Sequence, residues 1–305
     1  MNQDPASGDT QDLTLQPSSA GNLALPALVL VSTPIGNLQD FSPRAKQALA
    51  SVDVILCEDT RTSSTLLRAH GIPTRTQALH EYNEQARIPA LIESMRSGAH
   101  YALISDAGTP LVSDPGYRLV RAAIAAGLRI SGIPGPNAAL LALTLSGLPP
   151  HPFLFSAFLP VKSGARQAAL AGLRAAEMAG LSATHIFYEA PHRLAEFLAD
   201  AAAVLGAREA AVCRELTKHF EEVRRGSLDE LSRHYAANQA RGEICIIIAP
   251  AGAEAATAED LDTALRTALA GMSVKDAAAA VATATGLPKK QVYQRALELG
   301  RAAKA

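Results

Sequence analysis

Short apolar runs alternate with segments of helical periodicity along the first half of the chain. The apolar runs are ALVLVS (27–32), VDVILC (52–57), YALIS (101–105) and RISGI (129–133). Short apolar runs with helices between them are typical of strands in a parallel sheet that is covered on both faces. We therefore predict an α/β domain over residues 27–148, ending at the sequence GLPPHP.

A second alternating unit follows over residues 149–250. Its apolar or mixed runs are FLFSAFLP, THIFYE, EAAVCRE, EEVRRGSL and EICIIIAP, with helical segments between them at 163–178, 193–205 and 229–237. Residues 259–305 show helical periodicity only, with breaks at 271–273 and 286–288, which fits three short helices. The predicted fold class is therefore α/β, with two α/β domains and a small C-terminal helical domain.

Composition and charge narrow the classes of protein that this chain can belong to. Apolar residues make up 48% and charged residues 19% of the 305 positions, as in ordinary soluble globular proteins. No apolar run approaches the roughly 18 residues of a membrane span. Residues 1–26 are polar and contain no Lys or Arg, which predicts a disordered tail and no signal peptide. We expect a cytoplasmic protein.

The three cysteines and the net charge each exclude a simple function. Cys57, Cys213 and Cys245 are far apart, which indicates buried thiols of a reducing compartment and neither a disulfide nor a zinc site. The formal net charge of −1 argues against a general polyanion binder. Residues 261–305, however, carry seven Lys or Arg against three Asp or Glu, so a local basic patch is expected at the C-terminal end.

The loops that follow the predicted strands are the places to look for a ligand, because open α/β sheets bind ligands beyond the carboxyl ends of their strands. The first loop, STPIGNLQD, has a single glycine and matches neither a dinucleotide fingerprint nor a P-loop. In the loop SDAGTPLVSDPG, Asp114 precedes Pro115 and is predicted to be the N-cap of the next helix.

Asp106 of that same loop has no such local role. A carboxylate there would repel a phosphate but accept hydrogen bonds from a ribose or an amino group, which favours a phosphate-free nucleoside as ligand. A solvated loop acid is the alternative. The third loop, GIPGPNAALLAL, has a rigid turn and small residues that suit either a flat ligand or close packing of the helix on the sheet.

Charged segments of the second unit and of the C-terminal end supply candidate chemistry. FYEAPHR and CRELTKHFEEVRRG, together with CEDTRT and Lys162, place acids, bases and a histidine near strand ends. They could serve acid–base catalysis or phosphate binding, or form a solvated ion-paired surface. The last segment resembles a helix-turn-helix, with basic residues near the start of its second helix, although such units also serve in packing or dimerisation.

The order of STPIGNLQDFS, CEDTRT, SDAGTPLVSDPG, GIPGPNAAL, FLP, FYEAPHR and RELTKHFEE resembles the ribosomal RNA small subunit methyltransferase I family of the tetrapyrrole methylase superfamily. The resemblance extends from about residue 28 to the C-terminus. It implies a cleft between the two α/β domains for S-adenosylmethionine and methyl transfer to the 2′-hydroxyl of a cytidine in the decoding region of small-subunit (16S) ribosomal RNA. It also implies free RNA or the assembled small subunit as partner, a homodimer, and no metal ion.

The resemblance assigns the cofactor-binding residues, and the chemistry of the reaction and the charged segments supply the other candidates. The implied cofactor-binding residues are Pro34, Gly36, Asp106, Gly108, Thr109, Pro134, Ala138, Ala139 and Tyr188. Candidates for assisting deprotonation of the 2′-hydroxyl are Glu58, Lys162, Glu189, His192 and Glu215. Candidates for RNA binding are Arg61, Arg193, Arg214 and Lys218, with Lys289, Lys290 and Arg295 in the C-terminal segment.

Two other functions fit parts of the chain. A methyltransferase acting on a corrin-like small molecule would share the fold, but it has no obvious use for the C-terminal segment or for RELTKHFEE. A ligand-sensing DNA-binding regulator would explain the last helices, but it leaves YEAPHR and two α/β domains with little to do.

Overall fold

The computed structural model describes residues 25–251, 258–285, 287 and 289–302. The tail predicted to be disordered lies outside the described residues, apart from its last two positions. The described chain contains two five-stranded sheets and a set of C-terminal helices. The domain boundaries stay a prediction.

The first sheet is parallel throughout and has the strand order β3-β2-β4-β1-β5. Its strands are β1 (Leu28–Val31), β2 (Val54–Cys57), β3 (Thr76–Ala78), β4 (Tyr101–Ile104) and β5 (Ile130–Ile133). The sequence did not predict β3, because this strand is only three residues long and its sequence, TQA, is not an apolar run. The helices around the sheet are α1 (Pro43–Ser51), α2 (Thr60–Ala69), α3 (Glu81–Arg96) and α4 (Tyr117–Ala125). Separate apolar clusters join α1 and α2 to one face and α3 and α4 to the other, which confirms the doubly covered parallel sheet.

The starts of two helices show one correct and one wrong prediction. Ser42 caps α1, because its hydroxyl accepts a hydrogen bond from the Ala45 N–H at 3.1 Å and Pro43 is the first helical residue. The predicted cap of α4 was wrong: Gly116, not Asp114, precedes the helix, with a φ of +118° that suits glycine. A Cβ on Gly116 would also stand 2.4 Å from Leu103, so the close packing requires glycine there.

The second sheet is mixed and has the order β6-β7-β10-β8-β9. Its strands are β6 (Phe153–Phe155), β7 (Thr184–Glu189), β8 (Glu209–Arg214), β9 (Glu222–Ser227) and β10 (Ile244–Ile248). Only β6 and β7 are parallel, and the other neighbours are antiparallel. Because β10 runs against β7 and β8, its first residue, Ile244, pairs with their last residues, Glu189 and Arg214. The start of β10 therefore lies at the same edge as the ends of β7 and β8.

Helices cover both faces of this sheet as well. One apolar cluster packs α6 (Ser163–Met178), α7 (Leu194–Leu205) and α8 (Leu228–Ala237) against one face. The other face packs against α5 (Ala138–Ser146), which directly follows β5 of the first sheet and is capped by Asn137. Helix α5 therefore fixes the two sheets relative to each other.

The C-terminal helices are α9 (Ala258–Leu269), α10 (Val274–Thr285) and α11 (Lys289–Ala302), and they share a small apolar core of their own. The three predicted helices are thus confirmed, although positions 286 and 288 of the second predicted break lie outside the described residues. All three cysteines are free and buried, as expected. Within the described ranges no helix is both long and apolar enough to cross a membrane.

Candidate functional site

A cavity of about 410 Å³, the first cavity, lies between the carboxyl edge of the first sheet and the second sheet. The loops after β1 and β4 and the start of α5 form one side, and the ends of β7 and β8 and the start of β10 form the other. Most of its wall is apolar, with Ile35, Phe158 and Leu216 among the contributors. A mostly apolar cavity with a few polar groups is typical of a small-molecule site.

Four carboxyl residues line the first cavity, and two of them, Asp106 and Asp114, belong to the loop that follows β4. One oxygen of Asp106 accepts a hydrogen bond from the Asp59 N–H at 3.3 Å, so this residue does have a local partner. Burial raises the pKa of Asp106, and the nearby charge of Asp59 adds to the effect. Burial, with the charges of Glu58 and Asp106, raises the pKa of Asp114 to about 6. Asp106 and Asp114 therefore place negative charge on the same cavity wall, and neither carboxylate can neutralise the other.

The loop that carries Asp114 has an unusual backbone. Leu111 and Ser113 have φ angles of +73° and +71°, in the left-handed region that side chains other than glycine rarely adopt. Together with Gly116 they place Asp114 on the cavity wall rather than at the start of α4. Non-glycine residues in this region are a form of strain that concentrates at functional sites.

Tyr188 forms part of the opposite wall. Its ring lies edge-on to Phe155, with ring centroids 5.0 Å apart, and 5.7 Å from Phe158. Burial raises the pKa of Tyr188 to about 12, although its hydroxyl oxygen accepts a hydrogen bond from the Ala139 N–H. The tyrosine is therefore neutral at physiological pH and held in place by α5.

A second cavity, of about 340 Å³, adjoins the first. Four residues, Ile35, Asp106, Ala107 and Glu243, line both cavities. The remaining wall comes from the loop after β1, from α2 and from Lys218, namely Thr33, Pro34, Gly36, Leu38, Thr62, Thr65, Leu66 and Lys218.

The nine residues proposed for cofactor binding separate into three groups. Those on the wall of the first cavity are Asp106, Gly108, Thr109, Ala138 and Tyr188. Pro34 and Gly36 line the second cavity instead. Pro134 and Ala139 line neither cavity. Pro134 is exposed in the loop after β5, and Ala139 is buried, with its N–H directed to the Tyr188 hydroxyl.

Of the five candidates for acid–base assistance, only Glu189 lines the first cavity. It is 2% exposed, its Oε1 accepts from the Ala190 N–H at 2.7 Å, and its Oε2 is 3.1 Å from Arg193 Nη2. Glu215 pairs with Lys218 at 2.9 Å. The candidates that line neither cavity are Glu58, Lys162, His192 and Glu215.

Most of the basic residues proposed for RNA binding already have partners within the protein. Arg193 contacts Glu189, Arg214 pairs with Glu222, Lys218 pairs with Glu215 and Glu243, and Arg295 pairs with Asp262 and Glu298. The exposed side chains of Arg61, Lys289 and Lys290 make no ion pair or hydrogen bond within the described part of the chain.

Sequence reasoning missed two parts of the site. Asp114 was interpreted as a helix cap, and residues 242–245 at the start of β10 were not considered at all, although they line the first cavity. The reason is the antiparallel direction of β10, which brings the beginning of a strand to an edge where only strand ends were expected. The apolar run itself does not reveal this direction.

Two family models match this chain, and solved structures share its fold. Residues 27–232 match the family model described as Tetrapyrrole (Corrin/Porphyrin) Methylases, and residues 254–300 match that of the RsmI C-terminal HTH domain. Among solved structures, a diphthine synthase has a TM-score of 0.58 at 15% identity, covering 74% of this chain and 90% of that one. The methyltransferase CobJ has a TM-score of 0.54 at 18% identity, covering 74% and 94%. At such identities these likenesses show the fold.

Curated relatives are much more similar in sequence. The Ribosomal RNA small subunit methyltransferase I of Mesorhizobium japonicum is 51% identical over 90% of this chain and 92% of its own length. The protein of that name from Pseudomonas aeruginosa is 45% identical over 89% of this chain and 96% of its own length. With the two family matches and the cavity between two sheets, this similarity shows that the chain belongs to the ribosomal RNA small subunit methyltransferase I family.

Proposed function

We propose that this protein transfers the methyl group of S-adenosylmethionine to the 2′-oxygen of a cytidine in the decoding region of small-subunit ribosomal RNA. The observation that supports it best is the acid-lined first cavity, with Asp106 and Asp114 on one side and Tyr188 on the other. The name shared by the curated relatives supplies the substrate class. We further propose that it acts in the cytoplasm as a homodimer on free RNA or on the assembled subunit.

The first cavity suits this cofactor in both size and charge. S-adenosylmethionine carries a sulfonium, an ammonium and a carboxylate group, so it is cationic overall, and it has no phosphate. Burial is the main cause of the raised pKa values of Glu58 and Asp114; the charge of Asp106 adds to both, and that of Glu58 adds to Asp114, so a cationic ligand would relieve this repulsion. The apolar wall formed by Ile35, Phe158 and Leu216 fits the remainder of a nucleoside.

Asp106, Asp114 and Gly108 would each contribute to cofactor binding in a different way. Asp106 has a second carboxylate oxygen that can accept a hydrogen bond from a ribose hydroxyl, while its first oxygen is oriented by Asp59. Asp114 offers a carboxylate to a cationic group above its pKa of about 6. Gly108, with a φ of +81°, presents backbone at the cavity wall without a side chain.

The sulfonium supplies an activated methyl group, so the protein must align the attacking oxygen and accept or stabilise its proton. Burial raises the pKa of Glu189, the one earlier candidate on the wall of the first cavity. Arg193 and the Ala190 N–H fix its carboxylate. We therefore retain Glu189 ahead of Glu58, Lys162, His192 and Glu215 for this role.

The test uses small subunits from a strain in which the gene has been deleted. Purified protein and labelled S-adenosylmethionine are added, and the RNA is digested and analysed as nucleosides. We expect label in 2′-O-methylcytidine and in one position of the RNA. Label in a base, or transfer to a tetrapyrrole with none to RNA, would contradict the proposal.

A further inference from the structure

The second cavity has no role in holding the cofactor as proposed above, yet it adjoins the first cavity directly. Ile35, Asp106, Ala107 and Glu243 form the wall that the two cavities share. A molecule in the second cavity therefore lies beside whatever the first cavity binds. This is the position that the acceptor of a transferred group must occupy.

The lining of the second cavity combines an apolar surface with groups that form hydrogen bonds. Ile35, Leu38 and Leu66 supply the apolar surface, and Leu38 is 43% exposed. Thr62 and Thr65 stand three residues apart on α2 and so project from one face of that helix. Both threonines are exposed, and within the described chain their hydroxyls have no hydrogen-bond partner. A hydroxyl both donates and accepts, which suits the mixed edge of a base or a ribose.

The positive charge of Lys218, on the wall of the second cavity, is paired with two carboxylates. Its Nζ is 2.9 Å from Glu215 Oε1 and 3.1 Å from Glu243 Oε2. Glu215 Oε1 also accepts the Glu243 N–H at 3.0 Å, which ties the three residues together. A phosphate in this cavity would compete with two carboxylates for one ammonium group. The cavity therefore favours a neutral group over an anion.

A free cation lies close by. Arg61 is exposed on the first turn of α2, one residue before Thr62, and its side chain has no partner among the described residues. Arg61 lines neither cavity, but it directly precedes the wall residue Thr62, so its guanidinium could reach a phosphate attached to a sugar in the cavity. The lysine on the cavity wall is paired with carboxylates and the unpaired guanidinium lies outside the cavity, which suits a nucleotide with its ribose and base inside and its phosphate outside.

We infer that the second cavity binds the ribose and base of the target nucleotide, extruded from its RNA strand, with Thr62 and Thr65 as hydrogen-bonding groups and Arg61 at its phosphate. The inference rests on the proposed function and names the acceptor site for it. A nucleotide extruded from its strand can enter a cavity between two sheets with both its ribose and its base, whereas a nucleotide stacked in a folded helix offers only its edge.

The test compares Thr62→Val/Thr65→Val with Thr144→Val, an exposed helical threonine on α5 that lines neither cavity. Valine keeps the shape and removes the hydroxyl. For the double variant we expect the KM for subunits from the deletion strain to rise about tenfold, as for two lost hydrogen bonds. We expect the Kd for S-adenosylmethionine to stay within twofold, and Thr144→Val to behave as wild type in both measurements.

A filling variant adds a second measurement. Thr65→Phe should block transfer to subunits while leaving cofactor affinity and the circular dichroism spectrum unchanged. If cofactor affinity falls in these variants and the subunit KM does not change, the second cavity belongs to the cofactor site and the inference is wrong. The inference is also wrong if the wild type methylates subunits and both variants do so equally well. If the wild type methylates no RNA, the proposed function itself fails.

Discussion

The side chain of Lys218 lies against the α-carbon of Gly36, so that a Cβ at position 36 would stand 2.5 Å from Lys218 Cγ and 2.8 Å from Lys218 Cε. Gly36 follows β1 of the first sheet and Lys218 follows β8 of the second. The contact therefore joins the two halves of the molecule at the second cavity. Because position 36 has no side chain, the Lys218 ammonium can reach Glu215 and Glu243.

We expect Gly36→Ala to displace Lys218 and to lower kcat/KM on small subunits by about tenfold, as for the loss of one charge-assisted contact. The Kd for S-adenosylmethionine should stay within twofold, since Gly36 lines the second cavity only. The control is Gly164→Ala, where a new Cβ meets nothing within 4 Å. A large loss of cofactor affinity in Gly36→Ala would instead support the original assignment of Gly36 to the cofactor site.

Asp106 is expected to contribute directly to cofactor affinity. Asp106→Ala should weaken binding of S-adenosylmethionine by about 1.5 to 3 kcal/mol, the range for a hydrogen bond that involves a charged group. Asp106→Asn keeps the acceptor for the Asp59 N–H but removes the charge, so it should retain part of the affinity. Calorimetric titration measures both. Unchanged affinity in Asp106→Ala would return this residue to the role of a solvated loop acid.

The sequence was sufficient to predict where most helices and strands lie, because burial patterns and caps are local. Ser42 and Pro43 mark the start of α1 through contacts within one turn, and the helix over residues 163–178 has the bounds observed. Strand direction is different. Whether β10 runs with or against β7 depends on pairing between residues about 55 positions apart, such as Ile244 and Glu189, which an apolar run does not encode.

The site was predicted in part for the same reason. Asp106 and Thr109 follow a strand of the parallel sheet, where general rules place ligands, and both line the first cavity. Asp114 was misassigned because an Asp-Pro pair before a helix is a good local cap signal. Tertiary packing of Gly116 against Leu103 overrode that signal. The ion pairs of Arg193 and Arg214 also form only in the folded chain. The sequence alone therefore could not show which basic residues of a motif are ion-paired and which are free to bind RNA.

Cofactor binding should depend on pH through Asp114. Burial raises its pKa to about 6, so the group is neutral below that value and negatively charged above it. A cationic ligand binds the charged form better, and affinity for S-adenosylmethionine should therefore rise with pH through 6 and level off above 7. We expect binding to be about fivefold weaker at pH 5 than at pH 7.5, corresponding to about 1 kcal/mol for a charge pair in a partly solvated cavity.

The matched variant for this prediction is Asp114→Asn. It should bind S-adenosylmethionine weakly at all pH values and lose the rise near pH 6. S-adenosylhomocysteine lacks the sulfonium charge, so its affinity should change less between wild type and variant. A wild-type affinity that is flat from pH 5 to 7.5 would remove Asp114 from the binding site.

Arg166 supplies a test of stability away from the cavities. Its side chain is fully buried, and its Nη2 lies 2.6 Å from Asp200 Oδ2 but 3.6 Å from Oε2 of the exposed Glu196. Asp200→Asn should lower the free energy of unfolding by about 3 kcal/mol, because it leaves a buried cation without its partner. Glu196→Ala should change it by less than about 0.5 kcal/mol. Urea denaturation measures the free energy of unfolding of both variants. Equal losses would show that the buried Arg166–Asp200 pair contributes no more to stability than the Arg166–Glu196 pair.

The C-terminal helices allow the RNA-binding part of the proposal to be tested separately from the cofactor site. Lys289 and Lys290 are exposed at the start of α11 and lack partners among the described residues, whereas Arg295 on the same helix is occupied by Asp262 at 2.6 Å. We expect Lys289→Ala/Lys290→Ala to weaken RNA binding and to reduce the slope of log affinity against log salt concentration by about 1.4 to 1.8, as for two lost phosphate contacts. Cofactor affinity should not change, because these lysines line neither cavity.

The control for charge alone is Arg44→Ala/Lys46→Ala, which removes two exposed cations from α1. If the lysines of α11 touch phosphates, their removal lowers the salt slope and removal of the α1 pair does not. An equal reduction in both double variants would mean that RNA responds only to the overall charge of the protein. An unchanged slope in Lys289→Ala/Lys290→Ala would assign the C-terminal helices to packing, and Arg61 and the rim of the second cavity would then be left to position the RNA.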